Sequence, residues 1–260
     1  MILRPLELLS AASAEFLSAW SVVERIQREP YDACWMITQP SHAVLAGDFA
    51  AQMTCPNLPA NVPKMDPTTV RAIALHDAGW GIPDAQAIMQ SRSVRQGCPK
   101  SFIQCSTAEF LAAWDKSIEV AASTGPAGGY IVSRHFVRIA EQNASHVPPH
   151  DRDRVSAFLH HEAARQKQLS AKQERSTEEL ELLTDVLQFC DLLSLYVCCG
   201  AQGNAVFPEY FGVKARLTMT GNESYKLEPA LIEPGTFKVA ALRHPATRGE
   251  SSREIDVRIW

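Results

Sequence analysis

The stretch VRAIALHDAGW, residues 70–80, places a carboxylate on the apolar face of a helix. Val70, Ile73 and Ala74 follow the spacing of one inward stripe, and the next position on that stripe is Asp77. Asp66 followed by Pro67 starts this helix, because an aspartate caps free N–H groups and proline is preorganised for the first helical position. Gly79 and Gly81 stop it.

The same conflict recurs in VLQFCDLLSLYVCC, residues 186–199, where Asp191 shares a helical face with Leu187, Ser194, Leu195 and Cys198. Burying an ionised carboxylate costs several kcal/mol unless a cation or hydrogen bonds compensate it. Few lysines or arginines lie near either face in sequence, whereas His42, His76 and His135 each sit among apolar or small residues on predicted helices. One shared metal site satisfies all of these groups. A mixture of imidazole and carboxylate suits iron, manganese, nickel or zinc, and the shortage of soft sulfur ligands disfavours a thiolate centre. His42, in a first helical turn, feels the positive end of the helix dipole, which keeps its ring neutral and able to ligate.

Outward from these segments, the spacing predicts further helices over residues 12–28, from Ser41 as N-cap onward, and over 107–124, 127–142, 151–173 and 176–199. The last opens on Ser176 and Glu179, a capping box. Residues 33–38 read as a strand or an extended lead-in. Prolines 56, 59 and 63 make 55–65 a loop, and 82–107 reads as a long irregular loop folding over the site. Beyond Gly200, short alternating runs at 213–220, 224–227, 237–243 and 254–260 predict strands of a small sheet. The expected fold is therefore mainly α: a helical core over residues 1–200 with a small β-rich C-terminal extension over 201–260. No internal repeat and no low-complexity tract is visible.

With 260 residues, 46% of them hydrophobic, the chain is long enough for a sizeable core. Twenty-five basic against 29 acidic residues leave a formal charge of −4, too small to steer association with nucleic acid or an anionic membrane. The N-terminus lacks a basic segment followed by a long apolar one, and no stretch reads as a transmembrane helix. The seven cysteines are odd in number and form no C-x-x-C pair, so neither a disulfide framework nor a zinc ribbon is expected, and a reducing cytoplasm fits best.

The order H…HD…D carried by His42, His76-Asp77 and Asp191 resembles the HD superfamily of metal-dependent phosphohydrolases. QPSHAVLAG (39–47), HDAGW (76–80) and SRHF (133–136) resemble an uncharacterised bacterial branch of it, known only as a domain of unknown function. The resemblance covers about residues 36–199. It implies an HD-like helical bundle with His42, His76, Asp77 and Asp191 as ligands of a divalent transition metal. Two-metal members, among them HD-GYP phosphodiesterases and di-iron oxygenases, place two further histidines between the HD pair and the last aspartate. His135, then His160 or His161, stand in that order here.

His135 is a site residue or a satisfied core histidine; His160 and His161 share a helix with many charges and read more naturally as a solvated face. His146, His150 and His244 lie beside prolines and polar residues and read as surface. Arg134 either binds a substrate phosphate or pairs with a structural acid, and Glu162 with Arg165 reads as a helix-surface pair. Lys64 and Lys100 reach a phosphate or are solvated, and Trp80 is a core or pocket-wall ring. Three functions are consistent with these residues: hydrolysis of a small phosphorylated molecule, with Asp77 and Arg134 as the catalytic pair and one or two metal ions; di-iron oxygenation, which needs His135 and one of His160 or His161; and ligand binding without turnover. Oligomeric state is not legible.

Overall fold

A computed structural model describes residues 1–7, 15–53, 58–93, 98–247 and 250–260. Its organising feature is an eight-stranded mixed sheet, which corrects the expectation of a mainly α bundle with a small β-rich extension. Strands hold 22% of the residues, too many for an appendage. Three come from the N-terminal region: β1 (Ile2–Pro5), β2 (Phe16–Ser18) and β3 (Cys34–Ile37). Five follow the helices: β4 (Asn204–Tyr210), β5 (Val213–Gly221), β6 (Ser224–Glu228), β7 (Gly235–Thr247) and β8 (Glu250–Ile259). The spatial order is β1-β3-β7-β8-β6-β5-β4-β2. The β2–β4 and β6–β8 pairs are parallel and the rest antiparallel, with Leu3 opposite Met36, Trp35 opposite Arg243 and Val239 opposite Ile255. Both β1 and β3 are buried along their whole length, so neither shows the alternation that betrays a half-exposed strand.

The helices are α1 (Ala19–Arg28), α2 (Gln39–Ala51), α3 (Pro67–Ala74), α4 (Gly81–Ser93), α5 (Thr107–Ala122), α6 (Pro126–Gln142), α7 (Arg152–Ser170) and α8 (Thr177–Cys198). Several follow the sequence closely. Asp66 caps α3 by accepting the N–H groups of Thr68 and Thr69, and Ser176 with Glu179 forms the capping box of α8. Others differ. Helix α1 starts later than expected because Phe16–Ser18 pairs with β4; residues 12–14 of the expected helix lie outside the described residues. Thr38, not Ser41, caps α2, its hydroxyl accepting the Ser41 N–H at 3.2 Å. The stretch 82–107 is not wholly irregular, for α4 occupies its first half. Pro83 sits in that helix's first turn, where its missing N–H has no intrahelical partner to lose.

One hydrophobic core runs from sheet to helices, joining Ile2 and Ile37, Phe49 and Ile73, Leu187 and Leu193, Val239 and Val257, and so includes residues on both sides of position 200. Phe49 of α2 meets Phe237 of β7 edge to face at 4.7 Å, and Phe189 of α8 meets Phe207 of β4 at 5.6 Å. Arg4 of β1, fully buried, donates to the carbonyls of Val197 and Cys198 at 2.9 and 3.4 Å and pairs with Glu223, so a strand residue satisfies the C-terminal end of α8.

Cys34 of β3 is bonded to Cys98, which corrects the expectation that no disulfide forms and removes the cysteine argument for a reducing compartment. Cys190, Cys198 and Cys199 are buried free thiols, as the apolar context suggested, and Cys55 lies outside the described residues. Among the described residues, no helix is long and apolar enough to cross a membrane.

Candidate metal centre

Four elements bring the predicted histidines and aspartates together. His42 lies in the first turn of α2, His76 and Asp77 in the turn after α3, His135 in the middle of α6, and Asp191 in the middle of α8. Helix α3 ends at Ala74, so the HD pair is held by backbone turns: the His76 N–H bonds the Ile73 carbonyl at 3.1 Å and the Trp80 N–H bonds the Asp77 carbonyl at 3.1 Å. His42, His76, Asp77 and His135 are buried, and Asp191 is nearly so. One ligand atom from each of His42, His76 and Asp77 lies within 4.8 Å of the others, and the same holds for His76, His135 and Asp191. The two triads share His76.

The hydrogen bonds behind the rings fix their tautomers. The Ser194 hydroxyl donates to the Asp191 carbonyl at 2.8 Å, so towards His42 Nδ1, 2.9 Å away, it acts as acceptor. His76 Nδ1 faces the Ile73 carbonyl at 2.8 Å, which can only accept. Both Nδ1 atoms therefore carry a proton, so each inward-facing Nε2 either presents a lone pair or bears the ring's second proton. His42 Nε2 faces Asp77 Oδ2 at 2.9 Å and His76 Nε2 faces Asp191 Oδ1 at 3.2 Å. A lone pair set against a carboxylate oxygen is repulsive unless a cation lies between them. Protons alone would require two imidazolium rings with centroids 5.2 Å apart, whereas a shared metal ion uses all four atoms as donors. The donor set thus fits a divalent transition metal of the imidazole and carboxylate type.

The electrostatics follow from burial and crowding. Burial works to lower His76, but Asp77 and Asp191 outweigh it and draw the ring up to about 9. Burial dominates at His135, with help from His76 and Arg138, and lowers it to about 4. Asp191 is raised by burial yet lowered further by the three histidines, to about 2. Among the described residues, no lysine or arginine pairs with Asp77 or Asp191. The Nδ1 of His135 has no hydrogen-bond partner, and its Nε2 lies 3.7 Å from Asp191 Oδ2.

A cavity of about 690 Å³ opens onto Asp77, His135 and Asp191. Trp80 forms part of its wall, and the segment after Cys98 lines it through Phe102, Ile103 and Cys105. Other predicted residues are elsewhere. Arg134 is not in the lining: its Nε donates to Glu181 at 3.1 Å and its Nη1 lies 3.5 Å from Glu141, so it is paired with acids away from the cavity. His160 and His161 are exposed on α7, away from the cluster. Glu162 is not a surface residue. It is fully buried, accepts the Ser133 hydroxyl at 2.7 Å and lies 3.5 Å from Arg165. His146 and His150 are exposed as expected, but His244 is buried against β3. Lys64 and Lys100 do not line the cavity.

Sequence reasoning missed Gln39 and Gln188, which line the cavity beside the cluster. The signal was present: each lies three residues before a ligand, His42 or Asp191, and so on the same helical face. The rings of Phe110, Trp114 and Phe136 were also missed, since nothing local separates a pocket wall from a core.

The fold and site define a chain in which helices on a mixed sheet enclose a histidine and aspartate cluster at the end of a cavity. The model of a family described as "Protein of unknown function (DUF3891)" matches residues 26–243, and the chain belongs to that family. No curated protein and no solved structure matches it.

Proposed function

We propose that this protein is a metal-dependent hydrolase of the HD type acting on a small phosphoester. The observation that carries this reading is the pair of Nε2 atoms, on His42 and His76, held against the carboxylates of Asp77 and Asp191 by rings whose Nδ1 atoms already face acceptors. His42, His76, Asp77, His135 and Asp191 would hold one or two ions of iron, manganese, nickel or zinc. Such an ion supplies Lewis acidity and lowers the pKa of water. Asp77 opens to the cavity and would take the proton released as water attacks phosphorus, then return it to the departing alcohol oxygen as the ester P–O bond breaks. The aromatic wall excludes bulk water, and the Ser194 and Ile73 oxygens keep the rings in the donating tautomer. A formal charge of −4 and a cavity of about 690 Å³ support a small-molecule substrate over nucleic acid. Di-iron oxygenation has less support, because neither His160 nor His161 supplies the sixth ligand it needs.

Reconstitution with each of the four metals, followed by elemental analysis and an assay on phosphomonoesters, tests the proposal. The expected result is stoichiometric uptake of one metal, with turnover falling roughly 10²-fold or more in Asp77→Asn. A protein that stays metal-free with all four overturns it.

A further inference from the structure

The cavity's chemistry is unlike that of a site for a polyanion. Its wall is a cluster of rings: Trp80 against Phe110 at 5.3 Å, Phe110 against Trp114 at 5.5 Å, and Trp114 stacked on Phe136 at 5.0 Å with planes 14° apart. Ile139, Leu192 and Leu195 continue the apolar surface. Among the described residues the lining holds no lysine, and its arginine, Arg28, is an exposed side chain paired with Glu24 at 2.7 Å. The arginines flanking His135 on α6 are committed elsewhere, Arg134 to Glu181 and Arg138 to Glu181 and Asp185 at 2.6 Å each. A nucleotide or sugar phosphate brings hydroxyls and extra charges that need forked cationic donors and polar partners. Apart from the paired Arg28 and Glu24 and a minority of polar side chains, Thr107, Gln142, Asn143, His146 and Tyr210 among them, the lining is mainly apolar.

The polar side chains that line the cavity include two uncharged amides, Gln39 and Gln188, each three residues before a member of the cluster. Gln39 is buried, and its Oε1 has no hydrogen-bond partner. Gln188 gives its Oε1 to Arg138 at 2.7 Å, which leaves its NH₂ as the group for the cavity it lines. One amide thus offers an acceptor and the other a donor beside Asp77 and Asp191. The cavity, about 690 Å³, falls within the range that encloses a drug-sized molecule.

We propose that the substrate is a flat, mainly apolar molecule with a ring system, whose single charged group is the ester at the metal centre, where Gln39 and Gln188 orient it. This rests on the metal-dependent reading above. The rings grip the body by stacking and burial, and the amides select a compact head bearing both a donor and an acceptor. Nucleotides are disfavoured because a base or sugar against Phe110, Trp114 and Ile139 would lose hydrogen bonds to water, and the cationic side chain of the lining, Arg28, is paired with Glu24.

Isothermal titration of the manganese-loaded protein with non-hydrolysable phosphonates tests this. Naphthylmethylphosphonate and methylphosphonate carry the same head and differ only in the apolar body. The expected result is that the naphthyl compound binds at least about tenfold tighter, with AMP no tighter than methylphosphonate. Phe110→Ala, at a half-buried position, should remove several-fold of the naphthyl affinity and leave methylphosphonate unchanged, while Gln39→Leu should weaken both phosphonates alike. Equal affinity for the two phosphonates, or tighter binding of AMP, overturns the proposal. The metal reading fails separately, through absence of metal uptake. In that event naphthalenemethanol against glycerol on the same metal-free chain still measures the pocket's preference, and equal binding of those two alcohols overturns the apolar assignment.

Discussion

At the scale of single residues, the site depends on side chains that touch no ligand of their own. Ser194 accepts from His42 Nδ1 and donates to the Asp191 carbonyl, so one hydroxyl sets the tautomer of a ring on α2 from a position on α8. Ser194→Ala removes that acceptor and leaves His42 free to turn. Metal affinity should fall about 10- to 100-fold in a chelator competition while the far-ultraviolet circular dichroism stays that of the parent. His161→Ala should leave metal content unchanged, since that ring is exposed on α7. The five cluster residues were legible because each sets a polar group among apolar or small residues. Arg134 was not placed correctly because one helical step rotates a side chain by about 100°. His135 points to the cluster, and its neighbour points to Glu181.

At the scale of elements, two contacts set the approach of α3 to its surroundings. Asp66 caps α3 and also pairs with Arg175, just before α8. Partial burial works to raise Asp66, but the N–H and hydroxyl of Thr69, the N–H of Thr68 and the Arg175 guanidinium hold it below the ordinary carboxylate range. Its contribution is therefore complete above the ordinary pKa of 3.8 and disappears as pH falls through the depressed value. Asp66→Ala should cost about 1 kcal/mol in chemical denaturation at neutral pH. The gap from the parent should narrow as pH drops below 3.8. Gly79, directly after the HD pair, presses against α5: an added Cβ would lie 2.0 Å from the Ala113 carbonyl oxygen and 2.8 Å from the Ser117 N. Both are backbone atoms and cannot swing aside. Gly79→Ala should destabilise by about 1–3 kcal/mol and shift the HDAGW turn, lowering melting temperature and metal affinity together. Helix α4 escaped sequence reading because a proline near a helix start looks the same as one in a loop until the N–H groups around it are assigned.

At the scale of the whole molecule, the disulfide and the sheet tie the ends of the chain to the site. Cys34 lies in β3, and Cys98 precedes the segment in which Phe102, Ile103 and Cys105 line the cavity. The bridge closes a sequence separation of 64 residues. Cys98→Ser, or a reductant, should lower stability by about 2–4 kcal/mol, read as a shift in the denaturant midpoint. A variant with an unchanged midpoint would show that the bridge does not constrain the chain in solution.

The sequence alone determined the helices with clear caps, the existence of strands after Gly200, and the candidacy of His42, His76, Asp77, His135 and Asp191, because capping and residue pattern are local properties of the chain; the convergence of those residues is a tertiary fact. Tertiary structure decided the rest. Strand β3 falls where residues 33–38 read as a strand or an extended lead-in, whereas β1 is a strand only because β3 lies beside it to take its hydrogen bonds, and it is buried too fully to alternate. The cavity's character was likewise hidden, since Phe110, Trp114 and Phe136 are ordinary core residues in sequence and become a cavity wall only when α5 and α6 meet. A carboxylate on an apolar stripe announces that a cation is needed; which body accompanies it depends on side chains far apart in the chain.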